Sequence, residues 1–175
     1  MPVTIDATVG GSSANSFATL TEADSFMEAR LNASKWETDA STDDKNRALV
    51  EATRWLTRLG WIGLRADDTQ ALSWPRQSAI DPDSPTAQYF GTDAVPQRVK
   101  DGTMELAFQF VKAGTTDVAA LDSKRNVKRS KLDVLETEYE DSFAKVKDLD
   151  LFPSVTRHIS ALLVGSFATL PTQRA

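Results

Sequence analysis

Between Asp43 and Leu59 the chain sets Ala48, Leu49, Ala52, Trp55, Leu56 and Leu59 on one stripe at helical spacing, and no other segment limits the fold as strongly. Residues three and four apart share a helix face, so this stretch must be an amphipathic helix whose apolar side needs partners. Thr42 is its expected N-cap, with Asp43 and Asp44 favouring the positive end of the helix dipole, and Gly60 its expected left-handed stop. Those partners must come from burial alone. The chain has no cysteine, which excludes disulfides, iron–sulfur clusters and thiolate zinc sites. At 175 residues and 41% hydrophobic it is long enough for one core.

Other segments supply the partners. A first helix is expected from Thr21, capped by that hydroxyl with Asp24 answering from the third position, through Ala23, Phe26, Met27, Arg30 and Leu31 to about Ala33. Trp36 falls in the connection that follows. After Trp61, Ile62 and Leu64 comes Leu72-Ser73-Trp74-Pro75-Arg76, where the proline forbids a helix and holds Trp74 extended. Residues 77–93 carry Pro82 and Pro85 among aspartates and serines and read as a long surface loop. Pro96 opens a third helix with Val99, Thr103, Leu106, Phe110 and Val111 on one side, ending near Gly114. Gly102 inside it costs about 1 kcal/mol against alanine, so either a neighbouring helix approaches closely there or the helix is locally weak.

Near residues 124–140 the pattern changes to strands. Lys124, Arg125, Lys128, Arg129 and Lys131 precede Asp133, Glu136, Glu138, Glu140 and Asp141, so a hairpin here is charge-segregated. It is either a solvated strand pair or a dipolar edge in which Lys128, Arg129, Lys131, Glu136 and Glu138 meet a neighbouring subunit. Leu151-Phe152-Pro153 starts a last short helix through Val155, Ile159, Leu162 and Leu163 to Val164, ended by Gly165. The expected organisation is an extended or flexible N-terminal arm (1–16), a single helical domain (17–164) and a C-terminal docking tail (165–175). The fold class is mostly α, a small helical bundle with a short β-hairpin, its core including Phe26, Leu49, Trp55, Leu56, Trp74, Leu106 and Phe110. Ser16-Phe17-Ala18-Thr19-Leu20 recurs as Ser166 to Leu170, one match with different flanks and so no repeat architecture.

Chemistry is scarce in this sequence. The one histidine, His158, has no second histidine or carboxylate at ligand spacing, and a structural role suits it better than base or ligand. There is no Gly-x-Ser-x-Gly elbow, no phosphate loop and no dinucleotide fingerprint. Asp43/Asp44 and Asp67/Asp68 sit at helix starts or turns, where capping explains them. No enzyme, cofactor or metal is expected. Trp36, Trp55, Trp61 and Trp74 beside Arg54, Arg58, Arg65 and Arg76 could stack bases in a single-strand groove, although core packing is the better account. The 20 basic and 25 acidic side chains leave a net charge of −5, which lowers the expectation of a freely diffusing nucleic-acid binder. No stretch approaches the roughly 18 apolar residues of a membrane span, and the N-terminus has no signal pattern, so the chain reads as soluble and unprocessed.

An ordered set of motifs carries a resemblance: Asn15-Ser16-Phe17 before Thr21-Glu22-Ala23-Asp24, the Ala48-Leu49 to Trp55-Leu56 helix, Trp61-Ile62-Gly63, Leu72-Ser73-Trp74-Pro75-Arg76, and Val95-Pro96 before Glu105-Leu106-Ala107. Together they resemble the head–tail connector adaptors of tailed bacteriophages, some of which carry the label of DnaT-like single-strand DNA-binding proteins. The resemblance implies a helical bundle with a hairpin, assembled as a twelvefold ring that docks on the portal protein, meets a tail-side connector, stopper or terminator protein, and passes the genomic DNA with weak contact. It implies a place at the head–tail junction of a virion, reached from the host cytoplasm, and no membrane. Portal docking would fall to the tail, through Phe167, Leu170, Pro171 and Arg174. The alternative is a single-strand DNA-binding replication accessory. Gly102 departs from the family pattern, where such helices more usually carry alanine.

Overall fold

A computed structural model describes residues 2–116, 127–131, 136–139 and 152–164. The protein is mostly α-helical with a short antiparallel hairpin, as the sequence leads one to expect. Helix α1 (Leu20–Glu28) is capped by Thr19 and not by Thr21. The Thr19 hydroxyl accepts the Glu22 amide at 3.2 Å, and the Glu22 carboxylate accepts the Thr19 amide at 2.7 Å. Glutamate three residues after the cap reaches back where the shorter Asp24 would not, so the capping box lies two residues earlier than expected. Thr19→Ala is expected to cost about 1 kcal/mol, measured as a lowered urea midpoint. The helix stops at Glu28, short of Ala33, and the chain turns through Asn32 at φ +62°.

Trp36 belongs to a π-helical turn (Lys35–Asp39) and is fully buried. Helix α2 (Thr42–Thr57) is capped by Ser41, one residue before the expected Thr42, and buries Ala48, Leu49, Ala52, Thr53 and Leu56. It closes at Arg58 in right-handed geometry. Gly60 is therefore not its left-handed stop. That conformation occurs at Gly63 (φ +71°), where a Cβ would lie 2.5 Å from the Gln77 carbonyl because β1 (Leu64–Arg65) pairs there with β2 (Arg76–Gln77). Residues 77–93 form the expected loop, drawn together by a bridge between Ile80 and Tyr89. Asp83 anchors it by accepting two bonds from Arg98, at 2.8 and 2.6 Å.

Pro96 precedes helix α3 (Gln97–Ala113), and Gly114 at φ +68° closes it. Strands β3 (Val127–Lys131) and β4 (Glu136–Tyr139) make the expected hairpin. Helix α4 (Pro153–Ile159) continues as a 3-10 turn (Ser160–Leu162) and not as α-helix to Val164. Leu163 is already extended and bridges Trp61, while the Val164 amide bonds the Gly60 carbonyl at 2.8 Å. Helix α3 is the centre: both α2 and α4 pack against it. Of the expected core, Leu49, Leu56, Trp74, Leu106 and Phe110 are buried. Phe26 and Trp55 are only half-buried, packed against the core from outside, whereas Met27 and Trp36 are fully buried.

The N-terminal segment is extended and laced to the start of α2. The Val3 amide donates to Asp43 at 2.9 Å and Asn46 returns a bond to the Val3 carbonyl at 2.8 Å. Asn15 closes the segment on itself, donating to the Thr4 carbonyl and accepting the Asp6 amide.

Candidate interaction surfaces

Three of the four tryptophans are buried in the fold. Trp36 donates its indole N–H to Asp24 at 2.8 Å, with Lys45 above the ring at 5.5 Å and bound to the same carboxylate. Trp61 donates to the Leu56 carbonyl at 3.0 Å and meets Trp74 edge to face at 5.8 Å; Trp74 meets Phe90 in the same way. Trp55, half-buried, has Phe152 against its ring at 5.7 Å. The neighbouring arginines are engaged as well. Arg76 donates to the carbonyls of Ile62, Ser73, Trp61 and Gly63, which ties the turn after α2 to β2. Burial, with the nearby charge of Arg65, pulls its guanidinium below the usual range. Arg65 donates to the Gln70 carbonyl, and Arg54 pairs with Glu51 at 3.1 Å. Base stacking needs an exposed aromatic face beside a cation, and of this set only Trp55, half-buried between the exposed Arg54 and Arg58, retains any such face.

The carboxylates also have structural duties. Asp43 holds Val3 and Arg47; Asp44 is held below the usual range first by the Ser41 hydroxyl, and Asp67 by the Thr69 hydroxyl. Among the described residues no three histidines, cysteines or carboxylates gather as a metal site. His158 is half-buried at the rim of α4, with Phe26 edge-on at 6.3 Å.

Two clefts remain. One, of about 680 Å³, lies where the C-terminal end of α3 meets the start of α2, and Lys35, Asp39, Asp44, Arg47 and Lys112 give it charges of both signs. The other, of about 530 Å³, opens between α1, α3 and α4. Leu31, 88% exposed, stands at its mouth with Arg157 and His158, and Glu105 forms its floor. Glu105 is only 2% exposed and accepts both arms of Arg30, which also lies over the Phe108 ring at 4.6 Å. Gln109 adds a third bond at 2.8 Å. Burial pushes the Glu105 carboxyl up, but the hydrogen bonds from Arg30, Gln109 and Ser154 and the Arg30 charge outweigh it and hold the group below its ordinary value. Sequence reasoning missed this pair, whose members stand 75 residues apart. The available signal was a charge inside the apolar run Met104-Glu105-Leu106-Ala107-Phe108.

The hairpin is described by its backbone. Its register sets Arg129 opposite Glu138 and Lys131 opposite Glu136, so the basic and acidic runs are the two strands of one hairpin. Lys128 lies beside the irregularity between Val127 and Arg129. Phe167, Leu170, Pro171 and Arg174 lie outside the described residues.

A family model described as "Putative DnaT-like ssDNA binding protein" matches residues 1–175. Neither the curated proteins nor the solved structures give a match. Because the family match spans the whole sequence, this chain belongs to the family of putative DnaT-like ssDNA binding proteins.

Proposed function

We propose that this chain is a non-enzymatic adaptor subunit of a tailed-phage head–tail junction, working through protein contacts while DNA passes with weak, non-specific affinity. The observation that carries this reading is the fate of the tryptophans. Trp36, Trp61 and Trp74 are buried, and Arg76 beside the latter two spends its donors on backbone carbonyls, so three of the four tryptophans suited to a stacking groove are already inside the scaffold and Trp55 alone keeps a partly open face. The net charge of −5 agrees with it, since an acidic channel wall repels phosphate where a basic one would retain it. Its partners are the portal protein, further copies in a ring, and a tail-side connector, with the tail residues Phe167, Leu170, Pro171 and Arg174 docking on the portal and the hairpin residues between subunits. Its place is the virion, reached through the host cytoplasm. Negative-stain images of the full chain with its portal should show a ring or a stacked complex; neither appearing would overturn the reading.

A second reading, a single-strand DNA-binding replication accessory, is favoured by the family's own description, which speaks for it more directly than for a connector. Tryptophan quenching is a poor probe of it here, because three of the four indoles lie inside the core, shielded from a bound base, and dominate the signal over Trp55. Anisotropy of a labelled oligonucleotide avoids that problem. The adaptor reading expects no saturable binding at about 50 mM salt, whereas a single-strand binder would saturate there and weaken steeply by about 200 mM.

A further inference from the structure

The pentapeptide shared by residues 16–20 and 166–170 acquires meaning from where its first copy sits. Ser16, Phe17 and Ala18 are buried, at 1%, 2% and 0% exposure. The Phe17 amide donates to the Thr53 hydroxyl of α2 at 3.2 Å. Ser16 folds over its own chain, its hydroxyl donating to the Ala18 carbonyl at 2.7 Å and accepting the Ala18 amide at 3.3 Å. Thr19 then caps a helix. Outside the pentapeptide its hydrogen-bond partners are Thr53 of α2, the Asp6 carbonyl that accepts the Ser16 amide at 3.2 Å, the Ala23 amide that donates to the Thr19 carbonyl at 3.1 Å, and Glu22; a second peptide of the same sequence can remake the internal bonds and those to Thr53 and Asp6.

We propose that Ser166–Leu170 of one copy takes the buried place beside Thr53 of α2 in another copy, displacing that copy's Ser16–Leu20, and links copies head to tail before any portal is met. The flanks permit this. Pro171 would fall at the second residue of a helical turn, where the backbone N–H has no intrahelical partner to lose. Thr172 stands where Glu22 makes the return bond, so the incoming peptide is the weaker cap and the exchange is reversible. The incoming peptide restores the burial of its phenylalanine and the bond to Thr53 but not the ties of Thr19 to Glu22 and Ala23, so the outcome is set by the local concentration of tails. A head-to-tail contact of this kind closes into a ring when its rotation allows. The contact deepens the adaptor reading by naming what joins the copies, but it requires no portal.

The absence of native cysteine makes the test clean. Full-length Thr53→Cys and Ser166→Cys chains, mixed and air-oxidised, are expected to give a disulfide-linked heterodimer, and Phe167→Ala in the second chain should suppress it. Sedimentation of the cysteine-free chain should show concentration-dependent association that Phe167→Ala weakens at least about tenfold, the consequence of withholding one buried aromatic ring. No heterodimer, or equal association with and without Phe167, overturns the proposal. Portal complexes that form without the crosslink would keep the adaptor reading and remove this contact; a crosslink in a protein that never engages a portal would do the reverse.

Discussion

Gly102→Ala is expected to destabilise the protein by about 1–3 kcal/mol, although alanine is the better helix former by about 1 kcal/mol. The reason is the approach of α4 to α3. A Cβ at Gly102 would lie 2.7 Å from Ile159 Cγ2, inside any tolerable carbon–carbon contact, with His158 Cβ at 3.8 Å and Val155 Cγ1 at 3.9 Å. Ile159 and Val155 are both fully buried, so neither has room to retreat. Ile159→Leu moves the branch from Cβ to Cγ and removes the offending Cγ2 while keeping the volume. The double variant should therefore be more stable than the sum of the two single changes allows. Urea unfolding of the four proteins measures the coupling; a stabilised Gly102→Ala would mean that helix propensity alone governs the position and that α4 does not seat there.

Gly102 also marks the boundary of what the sequence discloses. Propensity registers the glycine as a cost and leaves two explanations, a close neighbour or a weak helix; only the position of Ile159 selects the first. The apolar stripe of α2, the Pro96 start and Gly114 end of α3, and the hairpin were legible because each is written in local periodicity or in a residue with a conformational restriction. Caps were read less well. Thr19 and Thr21 are both plausible, and the choice depends on which carboxylate reaches back, Glu22 or Asp24, when Asp24 is also wanted by Trp36 and Lys45. Gly60 and Gly63 pose the same difficulty, since the pairing of β1 with β2 makes the second indispensable and leaves the first in open space. The tryptophans could be assigned to the core as a class, yet not ranked: Trp55 sits on the predicted stripe and is half-exposed, while Trp36, expected in a connection, is central. Position relative to distant partners decides burial there, and no local pattern encodes it.

Arg30→Ala should be the most damaging single change among the charged residues, costing about 3 kcal/mol at neutral pH. Arg30 is partly solvated, but Glu105 is not, and removing the arginine leaves a carboxylate in the core with only Gln109 and Ser154 to answer it. The pH dependence separates this from simple loss of packing on Phe108. In the native protein the folded Glu105 carboxyl titrates below its unfolded value near 4.5, so its contribution to stability is present above that pH and is lost as pH falls through the folded value. Without the hydrogen bonds and charge of Arg30, burial, already the largest single influence, is expected to outweigh Gln109 and Ser154 and raise the folded value above the unfolded one. The penalty in the variant is then absent in acid, where both states hold the proton, and grows as pH rises through the shifted value. The gap between native and Arg30→Ala proteins should consequently narrow between about pH 7 and pH 4, and Glu105→Gln placed in the Arg30→Ala background should recover stability at pH 7 by substituting a neutral group that Gln109 and Ser154 can still engage. Urea midpoints at the two pH values read both effects. A gap that stays constant with pH, together with no recovery in the double variant, would assign the loss to the missing side-chain contact with Phe108 and remove the buried charge from the account of how α1 is held to α3.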